Sequence, residues 1–218
     1  MTKFHYLTNF EHFFSNFILN IAVFVSGRGS NLKAILTSSE LDGLVNVKAV
    51  VSDKLLCPAF QIAESYSVPT YTVGSKTGCI GFTTLYTLLS DLNVELIVLA
   101  GFLKLVPEEF VDKFKNKIIN IHPALLPSFG GKGMYGVNVH NAVFESSAKV
   151  SGATVHFVDY TYDTGNIIAQ KCVDISDVNS PEEIAERVIK IEHELLPFVI
   201  KKFALGQVKI ENRRVIIN

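Results

Sequence analysis

Ile21-Ala22-Val23-Phe24-Val25-Ser26-Gly27-Arg28-Gly29-Ser30-Asn31 sets the architecture of this chain. Five apolar residues, three of them β-branched, read as a buried strand, and the glycines that follow turn it into a helix over about 31–39. The same texture recurs. Strand-like runs at 45–51, 68–71, 95–99 and 117–121 alternate with helix-like segments at about 58–65, 82–89 and 108–114. Such alternation builds β-α-β units, hence a parallel sheet covered on both faces. Ligands of such sheets bind at the carboxyl edge of the strands.

Beyond Pro127 the pattern changes. A Gly-rich loop over 130–136 leads to a short helix over 137–146, then to strands over 152–158 and 166–175 separated by a polar turn. A long helix over about 181–203 starts with Ser180 as N-cap, Pro181 at its first position and Glu183 three residues after the cap. Segments 208–210 and 215–217 suit a terminal hairpin. No internal repeat or linker separates two domains, so residues 18–218 read as one domain behind an extension, 1–17, with no assigned role.

The loop over 26–31 also has a chemical reading. Its glycines admit a close backbone approach, Ser30 and Asn31 are placed to cap the following helix, and free N–H groups there favour an anion. No Gly-Lys-Ser/Thr closes the loop, and Leu32 stands where a dinucleotide fingerprint has its third glycine. A phosphate monoester is the economical guest; a tight capped turn without ligand is the alternative. Asn120-Ile121-His122-Pro123-Ala124-Leu125-Leu126-Pro127 supplies a second site element. The strand before it puts Asn120 and His122 on one face, and Pro123 stops it there. An imidazole needs a carboxylate to stay protonated near neutral pH, and Asp163, in the turn Asp163-Thr164-Gly165, is the candidate. Amide, imidazole and carboxylate without an obvious Ser or Cys nucleophile point to transfer of an acyl-type group onto a substrate that brings its own nucleophile.

Composition narrows the class. Hydrophobic residues are 48% and charged residues 19%, which fits a packed globule rather than a disordered chain. A net charge of −1 gives no general attraction for polyanions, so no nucleic-acid partner is expected. The longest apolar stretch, over 18–25, falls far short of the roughly 20 residues that span a bilayer. The aromatic-rich start lacks the marks of a secretory signal, and Cys57, Cys79 and Cys172 form no spaced pair, so a reducing cytoplasm is expected. His5, His12, His140, His156 and His193 have no companion at metal-ligand spacing and read as structural or solvated; no metal is expected.

Ser26-Gly27-Arg28-Gly29-Ser30-Asn31, Asn120 to Pro127, and Val155-His156-Phe157-Val158-Asp159 followed by Asp163-Thr164-Gly165 stand in the order and spacing of the folate-dependent formyltransferases. The chain resembles that family from about Ile21 to Ile210. The resemblance implies an α/β, Rossmann-like fold with a mostly parallel central sheet and helices on both faces. It implies formyl transfer from 10-formyltetrahydrofolate, a cosubstrate, to the glycine amine of glycinamide ribonucleotide, without metal. In that reading Asn120 donates to the carbonyl oxygen, His122 is the cationic partner or proton donor, and Asp163 sustains the imidazolium. Gly29, Ser30 and Asn31 take the substrate phosphate and Glu192 the ribose hydroxyls. The folate lies between Leu103-Lys104-Leu105-Val106 and the turn from Val158 through Asp159 to Asp163, over a floor of Leu99 and Ile118. Two departures stand out: Lys76 is all that occupies the segment where the family often has a substrate-side Arg, and Asn166 replaces a common Pro. Small molecules are the expected partners, a homodimer stays open, and a formyl-folate hydrolase, another formyltransferase or an inactive phosphate-binding module are the competing readings.

Overall fold

The computed structural model describes residues 18–212 and 214–218; the extension over 1–17, with His5 and His12, lies outside the described residues. In the first half, β1 (Leu19–Val25), α1 (Ser30–Leu36), β2 (Val45–Ser52), α2 (Ala59–Ser65) and β3 (Thr70–Thr72) alternate as the pattern predicts. They are followed by α3 (Phe82–Asp91), β4 (Leu96–Leu99), α4 (Glu108–Lys113) and β5 (Ile118–His122). The second half holds α5 (Val137–Glu145), β6 (Val150–Phe157), β7 (Ile167–Asp174), α6 (Pro181–Ala204) and the hairpin β8 (Val208–Glu211) and β9 (Arg214–Ile217). β3 starts later than the sequence suggests. Pro69 has no N–H to give the ladder, and only its carbonyl joins, accepting from Val50 N at 2.9 Å.

The seven main strands lie in the order β3-β2-β1-β4-β5-β6-β7. β1 to β5 pair parallel, whereas β6 and β7 pair antiparallel. The fold is therefore α/β with a mostly parallel, Rossmann-like sheet. The chain winds outward from β1 to β3, then returns to the other side of β1 for β4, so the loops after β1 and β4 diverge at a switch point. Ser26 N donates to Gly101 O across it at 3.0 Å.

Strand parity divides the core. Ile21, Val23, Val25, Ile119 and Ile121 pack with residues of α1, α2, α5 and α6 on one face. Ala22, Phe24, Ile97, Leu99 and Ile118 pack with α3 and α4 on the other. Asn120 and His122 share the parity of Ile118, so they end the second row at the point where its apolar packing gives way to a cleft. α6 is capped as its sequence predicts: Ser180 Oγ accepts from Glu183 N at 3.4 Å, while Glu183 Oε2 accepts from Asn179 N at 3.0 Å. This long helix spans the first face and carries Glu192 inward, where it is 7% exposed.

Candidate active site

The loop after β1 is braced from three sides. Ser26 Oγ donates to Asp53 Oδ1 at 2.6 Å and accepts from Leu103 N at 2.9 Å, which ties it to the loops after β2 and β4. Gly27 O accepts from Ala59 N at 3.2 Å and from the Cys57 thiol at 3.4 Å. Gly29 is left-handed, with φ +79°, and a Cβ there would meet Ala59 Cβ at 2.7 Å. Glycine is required on both counts. The capping expectation is corrected: Gly29 itself holds the N-cap position, and neither Ser30 nor Asn31 caps with its side chain. Asn31 is instead buried, its Nδ2 donating to Glu192 Oε2 at 2.6 Å. Burial pushes the Glu192 carboxyl up to about 7, with the Asn31 bond opposing.

At the end of β5, Asn120, His122 and Asp163 converge. Asp163 reaches the site because its turn takes φ +60°, which Asp tolerates, and because Gly165 has no Cβ; one there would overlap the Phe157 carbonyl. Its Oδ2 accepts from Gly131 N at 2.9 Å and lies 3.5 Å from His122 Nδ1. Its Oδ1 lies 3.5 Å from Asn120 Nδ2. His122, 3% exposed, places Nε2 2.8 Å from Phe129 O, and a carbonyl can only accept, so Nε2 carries hydrogen.

Burial and neighbouring groups act on the charge of His122 in opposite directions. Burial lowers its pKa below the ordinary imidazole value; Asp163 and the Phe129 carbonyl oppose this, and His156 adds to it. The net direction is downward, with Nδ1 turned toward the Asp163 carboxylate. For Asp163, burial acts upward but is outweighed by the bond to His156, by His122 and by the Gly131 N–H, so the carboxyl falls below its ordinary range.

A second correction concerns His156. It is 2% exposed and belongs to the cluster, with Nε2 3.1 Å from Asn120 Nδ2 and 3.5 Å from Asp163 Oδ1. Antiparallel pairing sets Asn120 directly opposite His156. Nothing in the local pattern gives the strand direction or register that makes this pair. His140 is likewise no bystander: it lines the cavity, and its Nδ1 is buried without a hydrogen-bond partner.

These groups face a cavity of about 850 Å³. Leu99, Leu103, Lys104, Leu105, Val106 and Val158 line it as expected for the folate cleft, and Ser30, Asn31 and Glu192 line it on the elements expected for the ribonucleotide. Four expected residues stay off the lining. Gly29 lies beneath it between Arg28 and Ser30, Ile118 is buried in the core, and Lys76 is on an exposed loop. Asp159 instead holds its own turn, accepting from Thr161 N at 3.2 Å and from Thr164 Oγ1 at 2.7 Å. Among the described residues no cluster of three or more His, Cys, Asp or Glu could hold a metal, and no helix is long and apolar enough to cross a membrane.

Comparison with known proteins agrees with this geometry. The family described as formyl transferase matches residues 19–200. Phosphoribosylglycinamide formyltransferase of Arabidopsis thaliana, described as chloroplastic, is 43% identical over 195 residues, 87% of this chain. The chain spans only 66% of that relative's length. The enzyme of that name from Bacillus subtilis is 37% identical over 83% of this chain and 92% of its own. The crystal structure of phosphoribosylglycinamide formyltransferase from Anaplasma phagocytophilum superposes with a TM-score of 0.83 at 34% identity, over 92% of this chain and 95% of the other. With the sheet order, the convergent Asn, His and Asp, and these likenesses in agreement, the chain belongs to the formyl transferase family.

Proposed function

We propose that this chain transfers the formyl group of 10-formyltetrahydrofolate to the amine of glycinamide ribonucleotide in purine synthesis. The observation that carries the reading is the junction of Asn120, His122 and Asp163 in one cavity whose lining runs from the β1 loop to the apolar β4 loop. Leu103 and Leu105 are 41% and 43% exposed there, apolar surface suited to a flat pterin. The β1 loop supplies backbone N–H groups for the phosphate, and Glu192 accepts from ribose hydroxyls. Residues 18–218 act in this reading as one domain, and the free cysteines suit a reducing compartment such as cytoplasm.

The chemistry follows from which atoms are free. The amine nitrogen attacks the formyl carbon, and the carbonyl electron pair moves to oxygen, where Asn120 Nδ2–H stabilises it. The attacking nitrogen loses its proton to His122 Nδ1, the ring position left without hydrogen, and the adjacent Asp163 stabilises the imidazolium formed. Collapse of the intermediate breaks the bond to folate N10, which takes the proton held by the His122 imidazolium as it leaves and returns the ring to its starting form. Asp163 thus acts on the cation during reaction, rather than holding His122 charged at rest. A steady-state assay with glycinamide ribonucleotide and 10-formyltetrahydrofolate tests this, the expected product being formylated ribonucleotide in a one-to-one ratio with free tetrahydrofolate. Formate release independent of the ribonucleotide would move the assignment to a hydrolase, and no turnover to an inactive module.

A further inference from the structure

We infer that His140, on α5, is a substrate-binding residue that reads the amide linkage of the ribonucleotide, the group between its amine-bearing carbon and its ribose. The side chain is 7% exposed and stands beside Val139 and Val143, which are packed into the core. A histidine kept for the fold would bond to it. Here Nδ1 is sealed without a partner, and Nε2, which is not sealed and has no partner among the described residues, opens on the cavity that the residue lines. Val137, one turn earlier on α5, lines the cavity too, so the ring stands on the helix face that fronts it. A buried polar side chain that bonds to nothing in the folded chain is costly and calls for a reason. A ligand that supplies the missing bond is such a reason.

The place of α5 in the fold selects the ribonucleotide over the folate. Val139 and Val143 share the first-face core with Ile184 and Val188 of α6, the helix that carries Glu192. The β4 loop proposed for the folate belongs to the other face, where Val106 packs with residues of α3 and α4. His122 is near enough for its charge to act on the His140 ring. With the reacting amine at His122 and the ribose at Glu192, the stretch of substrate that passes His140 is the amide, which begins one methylene beyond the amine. Burial first, and His122 second, act against the His140 imidazolium, so the ring is not built to hold the phosphate as a cation. An imidazole suits an amide in either tautomer: an N–H at Nε2 donates to the carbonyl oxygen, and a lone pair there accepts from the amide N–H.

This contact rests on the formyl-transfer reading, yet the two fail differently. Calorimetric titration with glycinamide ribonucleotide, and with ribose 5-phosphate, which keeps sugar and phosphate but has no amide, compares the unaltered protein with His140→Phe and His140→Gln. Phe keeps the ring's bulk without a polar atom, whereas Gln places polar atoms near the Nε2 position. His140→Phe should weaken glycinamide ribonucleotide by about three- to tenfold in Kd, the range of one neutral hydrogen bond, and leave ribose 5-phosphate unchanged. His140→Gln should recover most of that loss. In turnover, KM for the ribonucleotide should rise in His140→Phe, with kcat and KM for the formyl-folate near those of the unaltered protein. Equal weakening of both ligands, or of neither, would overturn the contact and leave the formyl-transfer reading standing. No binding of glycinamide ribonucleotide to the unaltered protein would overturn both. NMR of the unaltered protein covers variants that do not fold: the His140 ring resonances should move on saturation with glycinamide ribonucleotide and stay in place with ribose 5-phosphate. An equal response to the two ligands would refute the assignment.

Discussion

Asp163 and His122 lie 3.5 Å apart with the ring largely buried, and the two influences on the ring oppose each other. Burial disfavours the imidazolium; the carboxylate favours it. Asp163→Asn removes the opposing charge while keeping shape, so the His122 pKa, already below the ordinary 6.5, should fall further. NMR titration of the ring checks the direction, and kcat should fall more than either KM. An unchanged pKa would reduce Asp163 to a turn residue. Glu192 has the reverse sign. Its folded value of about 7 lies above the ordinary 4.5, so the folded chain holds a proton the unfolded chain has lost, and stability declines as pH rises from about 4.5 to about 7. Glu192→Gln should remove that decline, a gain on the order of 3 kcal/mol at pH 8 and little at pH 4.5, read from thermal melts. It should also raise KM for the ribonucleotide.

Turns hold the reactive strand ends in place, and they differ in how much a side chain would disturb them. At Gly165 an added Cβ would lie 1.8 Å from Phe157 O, a backbone atom that cannot move without opening the start of β7. At Gly43, φ is +71° but nothing lies within 4 Å. Gly43→Ala should therefore cost only the left-handed penalty of about 1–2 kcal/mol. Gly165→Ala should cost more than that and lower kcat as well, since the same turn delivers Asp163; equal melting temperatures for the two variants would contradict this account. A second constraint joins α4 to that turn: Tyr160 Oη donates to Asp112 Oδ1 at 2.5 Å across the exterior. The β4 loop runs directly into α4, so this bond links two walls of the proposed folate cleft. Tyr160→Phe should raise KM for the formyl-folate severalfold at most, because the bond is exposed, and leave KM for the ribonucleotide unchanged.

Across the sheet, burial makes a chemical statement that needs no substrate. Cys172 is exposed on β7, Cys79 is half-buried, and Cys57 is buried beneath the β1 loop with its thiol on Gly27 O. A thiol reagent should modify Cys172 first and Cys79 more slowly, reaching Cys57 only on unfolding or when the loop opens. Ligand at the β1 loop should slow the reaction at Cys57 further. Rapid labelling of Cys57 in the folded protein would mean that the brace between this loop and α2 is not stably formed.

The parallel half of the fold was legible in the linear pattern because strand and helix periods are local: β-branched runs ending in Gly or Pro, a capped start for α6, and Asn120 and His122 two residues apart on one strand. Their family spacing carried the reading to Asp163 and Glu192. The pairing across strands was not legible. Antiparallel β5 and β6 set His156 against Asn120, and a partner 36 residues away leaves no local mark on a strand whose every residue is apolar or buried. Asn31 looked like a cap, yet its polar atom turned inward because α6 brings Glu192 within 2.6 Å, a contact between elements distant in the chain. The protonation of His122 depended on burial as well as on its neighbour. Residue type and order tell which groups meet a substrate, whereas desolvation and register, which arise only when distant segments pack, decide the charge each group carries and the direction in which it points.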